Sequence, residues 1–210
     1  MTHLDIEKPQ DIEKRSFEII GELLGDRTFP EEQVGIVKRV IHTSSDFDYA
    51  DNLVFGNDAV QKGIAALKEG CTVITDTNMA LSGINATNLK KFNSEKVCFI
   101  ADPAIAAAAK ENGTTRAVQS MIHASELKGN QIFAIGNAPT ALIKLYDMIK
   151  AGEIAPALVI GVPVGFVNVV ESKEMFMELD TPYIVAKGRK GGSNVAAAIV
   201  NALMLEALKA

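Results

Sequence analysis

Apolar residues follow two rhythms along this chain, and the first is helical. In the N-terminal part they recur at the spacing of one helical face, for example at Val37, Val40 and Ile41. Residues 1–10 are polar and predict a leader into the first helix. Three helices are predicted in this part, over residues 11–24, from Pro30 to the approach of His42, and from an N-cap at Asn57 through Glu69.

The second rhythm begins near residue 71, where short apolar runs alternate with helical patterns. Five runs are predicted strands, at residues 72–75, 97–100, 131–135, 157–160 and 183–186. Helices are predicted at residues 86–92, 103–127 with a break at Gly113, 138–151, 166–179 and 192–208. The strand runs are continuously apolar, which is typical of strands buried on both faces. The pattern predicts a three-layer α/β/α fold: a doubly wound, Rossmann-like, mainly parallel sheet of about five strands, in one domain over residues 1–210.

The turns that follow the predicted strands are small, polar or glycine-rich. In a parallel sheet they collect at one edge, where ligands bind in doubly wound folds and helix N-termini favour anions. Ordinary turn chemistry also explains each turn singly. The last one, residues 187–194, adds Arg189 and Lys190 to its glycines, which suits a carboxylate or phosphate but also a solvated turn with loose basic side chains. It lacks the spacing of a phosphate-binding loop, and the chain lacks a dinucleotide fingerprint.

His42 is the candidate acid–base residue of the chain. It stands where the helical pattern breaks into the hydroxyl-rich run 43–45, less than one turn after Arg39. Three aspartates follow, close enough to influence an imidazole, whose pKa ordinarily lies near neutrality. A partly exposed histidine at a helix end explains the same spacing.

Two further places are candidates for ligand contacts. Ser16 interrupts the apolar stripe of the first helix, either because it bonds back to its own helix or because this face meets a ligand. Arg15 can reach the same ligand, or can pair with Glu18 or Glu22 on a solvated face. Arg116 falls in the first turn of a helix, where a cation opposes the dipole. An arginine at this position is explained if it binds an anion, and equally if it forms an ion pair elsewhere on the surface.

Composition narrows the classes of function. The 210 residues carry a formal net charge of −5 and no basic run, which argues against a nucleic-acid surface. The sequence shows no secretory signal and no apolar stretch long enough to span a bilayer, so a soluble cytoplasmic protein with Cys71 and Cys98 as buried thiols is expected. No metal-ligand spacing and no nucleophile elbow occur, so no metal site is predicted, and His3 and His123 are expected to be solvated.

Several segments taken together resemble the precorrin-8X methylmutase family, and they run through nearly the whole chain in order. They are Arg15–Phe17, Val40–Ser44 with Asp46–Asp48, Thr75–Met79, Gly136–Thr140, Gly161–Phe166 and Lys187–Ser193. The resemblance implies an isomerase of cobalamin (vitamin B12) biosynthesis. Its reaction is the migration of a methyl group from C11 to C12 of precorrin-8X, giving hydrogenobyrinate, or of cobalt-precorrin-8, giving cobyrinate. It also implies no cofactor, a polycarboxylate tetrapyrrole as substrate, and a homodimer with sites near the subunit interface.

The resemblance also implies roles for individual residues. His42 matches the family's proton donor and acceptor. Six residues are expected to contact the substrate: Ser16, Arg39 and Arg116 by their match to the family, with Arg15, Thr43 and Gly191 as further expected contacts.

Two other functions remain open at this point. One is a tetrapyrrole-binding or carrier protein with the same fold and no activity. The other is an α/β enzyme acting on a nucleotide or sugar phosphate, against which the missing phosphate fingerprints argue.

Overall fold

The computed structural model describes residues 8–209, whose strands form one six-stranded sheet. The strands are β1 Leu53–Gly56, β2 Cys71–Thr75, β3 Glu95–Val97, β4 Asn130–Ile135, β5 Leu158–Gly161 and β6 Tyr183–Ala186. Their order across the sheet is β1-β6-β5-β4-β2-β3. All neighbours are parallel except β1, which pairs antiparallel with β6. This confirms the predicted α/β fold with a mainly parallel sheet.

Helices cover both faces of the sheet. They are α1 Pro9–Leu24, α2 Glu31–Ser44, α3 Tyr49–Asn52, α4 Ala59–Glu69, α5 Asn78–Gly83, α6 Ala86–Lys90, α7 Pro103–Glu111, α8 Arg116–Ser125, α9 Pro139–Lys150, α10 Val169–Phe176 and α11 Ser193–Lys209. Among residues 8–209, no helix is long and apolar enough to cross a bilayer.

Successive residues of a strand face opposite sides of the sheet and therefore belong to two different buried cores. Ile132 and Ala134 of β4 belong to the core that includes residues of α1, α2, α4 and α11, whereas Phe133 and Ile135 of the same strand belong to the core that includes residues of α8 and α9. Helix α11 is the centre of the first layer, because nearly its whole length is buried and it packs against α2, α4 and α5. The continuous apolar runs of the sequence therefore mark a sheet that is covered on both sides.

The two edge strands depart from the sequence-based expectation. Strand β1 was not predicted; of its four residues only Leu53 is buried, so its apolar signal is short and one-sided. Strand β3 was predicted at residues 97–100 and occurs at 95–97. The chain leaves the sheet after Val97 because Phe99 and Ile100 pack into the core of α8 and α9 instead of extending the ladder.

Helix boundaries also required corrections. Pro9 is already helical, in the first position of α1, so the polar leader ends earlier than expected. The N-cap position of α4 is Asp58, not Asn57. The Asn57 side chain instead donates to the carbonyls of Leu179 and Thr181, at 2.7 and 3.0 Å. His3 lies outside the described residues.

Candidate active site

His42 lies inside the last turn of α2, because the helix continues two residues beyond the point where the sequence pattern breaks. The helix continues to Ser44, and the hydroxyls of Thr43 and Ser44 donate to the carbonyls four residues earlier, at 2.9 and 2.8 Å. Ser45 then ends the helix in the left-handed conformation, and its N–H donates to the carbonyl of Ile41. The backbone that carries His42 is therefore fixed on both sides of the imidazole.

Ser16 of α1 supplies the hydrogen-bond partner of this imidazole. Its Oγ lies 2.8 Å from His42 Nδ1, and both side chains are half-buried. This excludes the interpretation in which Ser16 bonds only back to its own helix. A hydroxyl can donate to a neutral ring nitrogen and accept from a protonated one, so the same bond serves both charge states of His42.

Phe17, which sequence analysis did not single out, joins His42 to Arg39. Its ring stacks on the imidazole with centroids 5.3 Å apart and an interplanar angle of 28°. The Arg39 guanidinium lies over the same phenyl ring, 4.7 Å from its centroid, and forms an ion pair with Glu13 of α1. Helix α1 therefore orients both the imidazole and the nearest cation of α2.

His42 lies between two hollows of different character. The apolar cleft between α1 and α2 has a volume of about 490 Å³ and is lined by Arg15, Ser16 and His42 among apolar side chains. On the other side, the polar cavity of about 350 Å³ joins His42 to a set of polar side chains. They are Glu13, Arg39, Thr43, Asn85, Asn88 and Asn201. One imidazole can thus serve a ligand that has both apolar surface and polar substituents.

The apolar cleft explains why the stripe of α1 is only partly buried. Ile20 packs in the core, but Ile12, Ile19 and Leu23 keep 53%, 40% and 64% of their surface exposed. These three side chains line the cleft beside Ser16. The stripe that predicted the helix thus covers a cleft as well as a core.

The carboxylates that were expected to influence His42 are engaged elsewhere. Asp46 and Asp48 each pair with Lys190 Nζ at 2.6 Å, and Asp51 pairs with Arg27 at 3.1 Å. The hydrogen bond from Lys190 holds the pKa of Asp46 below its ordinary value. Lys190 is therefore not a loose cation, and it ties the turn after β6 to the turn after α2.

The other predicted contacts are distributed unevenly around His42. Arg15 lines the apolar cleft but pairs with Glu18 and Glu22 of its own helix, at 3.4 and 3.2 Å. Gly191 accepts a hydrogen bond from Tyr49 OH at 3.5 Å, beside the turn that follows α2. Arg116 begins α8, in the opposite helical layer, and lines neither hollow next to His42. Thr115, the residue before Arg116, is the N-cap of α8 and accepts from the N–H of Val118.

The crevice between β2 and β4, where doubly wound folds bind ligands, is filled by protein. Asp76 follows β2, is 1% exposed, and accepts from the N–H groups of Gly136, Asn137 and Ala138 at 2.7–2.9 Å. Burial raises the pKa of Asp76, and the three amide donors act in the opposite direction. Gly136 also leaves no room there, because a Cβ would come within 2.7 Å of Ser193 Cα. The expected anion site at α9 is thus occupied by the chain's own carboxylate.

Other candidate chemistry is sparse in the described part of the chain. His123 is exposed and its Nδ1 lies 3.7 Å from Glu126. Cys71 and Cys98 are free thiols, buried and half-buried. Between residues 8 and 209, no group of three or more His, Cys, Asp or Glu side chains is arranged to hold a metal ion.

Comparison with known proteins gives one consistent answer. The family model described as precorrin-8X methylmutase matches residues 11–206. The cobalt-precorrin-8 methylmutase of Priestia megaterium is 46% identical over 94% of this chain and 88% of that protein. The precorrin-8X methylmutase of Pseudomonas aeruginosa is 38% identical over 94% and 95% of the two chains. The crystal structure of precorrin-8x methyl mutase from Thermus thermophilus superposes with a TM-score of 0.89 at 39% identity, covering 95% of this chain and 97% of that one.

These matches span the helices that carry Ser16 and His42 as well as the whole sheet. The matched proteins share the fold of this chain, align over most of their length with it, and are all named as methylmutases. The chain therefore belongs to the precorrin-8X methylmutase family and is an isomerase of cobalamin biosynthesis.

Proposed function

We propose that this isomerase moves a methyl group from C11 to C12 of a precorrin-8X-type macrocycle, with His42 donating a proton and recovering it. The observation that carries this proposal is the Ser16–His42 pair, placed between the apolar cleft and the polar cavity. A planar macrocycle rimmed with carboxylates has the same division into apolar faces and polar edges. The names of the relatives, cobalt-precorrin-8 and precorrin-8X methylmutase, supply the substrate class.

The chemistry requires little beyond positioning and one proton. The bond between the methyl carbon and C11 breaks while the bond to C12 forms, so there is no leaving group and no redox change. A proton placed on the macrocycle near ring C eases the migration and returns to the base afterwards. With Nδ1 bonded to Ser16, the other ring nitrogen of His42 is the one that exchanges this proton. General acid–base catalysis of this kind contributes about a hundred- to ten-thousand-fold.

Cations near His42 are proposed to hold the carboxylates of the substrate. Arg39 is fixed by Phe17 and Glu13 and borders the polar cavity, where a guanidinium can bind a carboxylate through two parallel hydrogen bonds. Thr43 borders the same cavity and Arg15 borders the apolar cleft. Arg116 stays a predicted substrate contact. It would bind a carboxylate at the far side of a large substrate in the same subunit, or a carboxylate of a substrate bound to a second subunit.

The names of the relatives divide between two substrate forms, so the test uses both. The protein is mixed with cobalt-precorrin-8 or with precorrin-8X, each carrying ¹³C in the methyl group at C11, and absorption and ¹³C spectra are recorded. We expect the label to appear at C12, together with the spectrum of cobyrinate or hydrogenobyrinate. A tightly bound pigment with the label still at C11 would contradict the proposal and indicate a carrier. A rise in melting temperature with nucleotides and none with corrinoids would indicate a phosphate enzyme.

We also propose that the enzyme is a homodimer whose interface covers the exposed stripe of α1. The exposure of Ile12, Ile19 and Leu23 supports this, because contiguous exposed apolar residues mark interaction sites. Light scattering should give twice the chain mass for wild type and for the control Lys62→Met, and the monomer mass for Leu23→Glu. A wild-type monomer, or a Leu23→Glu dimer, would contradict this interface. The single domain over residues 1–210 and the cytoplasmic location stay predictions.

A further inference from the structure

Lys173 of α10 is a lysine in the interior that the proposed reaction does not use. Its side chain is 0% exposed, and among residues 8–209 it forms no ion pair with a carboxylate. Burial without a countercharge is costly, and it lowers the pKa of Lys173 to about 8. The ammonium group must therefore be held by dipoles of the protein.

Those dipoles belong to the β6–α11 turn, residues 187–192. Lys173 Nζ donates to the carbonyls of Gly188 and Lys190, both at 2.8 Å. The carbonyl between them, of Arg189, accepts from the N–H of Gly165 at 3.2 Å. Three successive carbonyls of the turn are thus hydrogen-bonded to the protein behind it.

This arrangement fixes where the N–H groups of the turn point. In a trans peptide the carbonyl of one residue and the N–H of the next point in opposite directions, and no cis peptide occurs among the described residues. The N–H groups of Arg189 and Gly191 consequently point away from Lys173. Within residues 8–209 neither of them donates to a protein acceptor. Two amide donors on one side of a turn form a concavity that suits an anion.

The turn is also docked beside the catalytic helix. Lys190 pairs with Asp46 and Asp48, and Gly191 accepts from Tyr49, all in the segment that follows α2. A side chain cannot replace the hydrogen of Gly191, because a Cβ would lie 2.1 Å from the carbonyl oxygen of Val162. The turn thus contacts the segment that follows α2 and the backbone of Val162, and Lys173 holds it from the core.

We propose that Lys173 is a positioning residue for substrate binding: its two hydrogen bonds set the peptide orientation of the β6–α11 turn, so that the N–H groups of Arg189 and Gly191 bind a carboxylate of the substrate. The identity of the substrate rests on the proposed function. The role of Lys173 in holding the turn does not depend on it.

Two variants and one control test this. Lys173→Met keeps an unbranched apolar side chain that is one atom shorter and removes all N–H donors. Lys173→Gln replaces the ammonium group by an amide, whose nitrogen lies one bond closer to the backbone. It still has N–H donors, but it is expected to reach one of the two carbonyls rather than both. Lys62→Met is the control, because Lys62 is an exposed lysine of α4, paired with Asp58 at the N-cap of that helix.

The first readout needs no substrate: the rate at which trypsin cuts the native protein after Lys187, Arg189 or Lys190, followed by mass. Because loosened turns are cut through local opening, we expect cleavage about tenfold faster in Lys173→Met and about threefold faster in Lys173→Gln. Lys62→Met should match wild type. Unchanged cleavage in the folded Lys173 variants would overturn the proposal.

The second readout is the steady-state kinetics of methyl migration. Losing two well-placed amide contacts should raise KM about tenfold in Lys173→Met while kcat stays within about threefold, since the acid–base pair is intact. A lower kcat at unchanged KM would mean that Lys173 is only structural. If Lys173→Met does not fold, Lys173→Gln is judged by the same two readouts. Faster cleavage together with a higher KM supports the role of Lys173, and wild-type values of both overturn it. If the wild type converts no macrocycle but the Lys173 variants are still cleaved faster, the role of Lys173 in holding the turn stands and the proposed function is refuted.

Discussion

Ser16 Oγ and His42 Nδ1 lie 2.8 Å apart, although 26 positions separate the two residues in the sequence. The bond joins α1 to α2 and gives the imidazole a neutral partner rather than a carboxylate. A carboxylate would favour the charged imidazole, whereas a hydroxyl follows either state. This suits the proposed role of His42, in which the imidazole takes back the proton it has given.

The first prediction concerns this bond. Ser16→Ala should lower kcat roughly tenfold and change KM little, because one hydrogen bond that orients the base is lost. Ser125→Ala is the control, since the hydroxyl of Ser125 donates to the carbonyl of Ile122 in its own helix. A Ser16→Ala enzyme with wild-type kcat would show that the bond has no catalytic part.

The second prediction concerns Phe17. Phe17→Ala should raise KM several-fold and lower the free energy of unfolding by about 1–3 kcal/mol, because Arg39 and His42 lose a shared aromatic surface. Phe17→Leu keeps apolar bulk and should recover most of the stability but not the KM. Equal KM values for Phe17→Leu and wild type would mean that the aromatic ring does not position Arg39.

The third prediction concerns the filled crevice. Asp76→Asn should lower the free energy of unfolding by about 2–3 kcal/mol, because its amide nitrogen would face an N–H donor in a buried site. Asp102→Asn is the matched control: Asp102 caps α7 from an exposed position, where asparagine caps equally well. Equal stability losses in chemical denaturation would contradict this role for Asp76.

The fourth prediction is a pH dependence of stability. Lys173 has a pKa of about 8 when folded and 10.5 as the ordinary value, so between these pH values the unfolded chain binds more protons. Stability relative to Lys173→Met should therefore rise with pH from about 8 to 10.5, by an amount on the order of 3 kcal/mol. Denaturation of both proteins at pH 7 and pH 10 measures it. A difference between the two proteins that does not change with pH would contradict the burial of a charged lysine.

Local pattern was sufficient for most of the fold and for choosing His42 as the candidate base. Continuous apolar runs located β2, β4, β5 and β6, because strands covered on both faces carry the strongest signal. The edge strands were missed or displaced, since a half-buried edge of three or four residues has little periodicity to detect.

The arrangement around His42 could not be predicted in the same way. Nothing in the local spacing links Ser16 or Phe17 to a residue 25 or 26 positions away, and the pairing appears only when α1 packs on α2. The aspartates near His42 in sequence pointed to the wrong partners, because Lys190, more than 140 positions away, binds two of them. Lys173 gave no signal either, since its acceptors are backbone carbonyls that any sequence could supply.

Proton transfer by His42 is tested by comparing His42→Ala with His123→Ala, in binding and in turnover of the macrocycle that the wild type converts. His123 is the matched control, being an exposed histidine in the other helical layer. We expect both variants to bind the macrocycle with wild-type affinity, and only His42→Ala to lose turnover, by about a hundredfold or more. Wild-type turnover in His42→Ala would contradict proton transfer by His42.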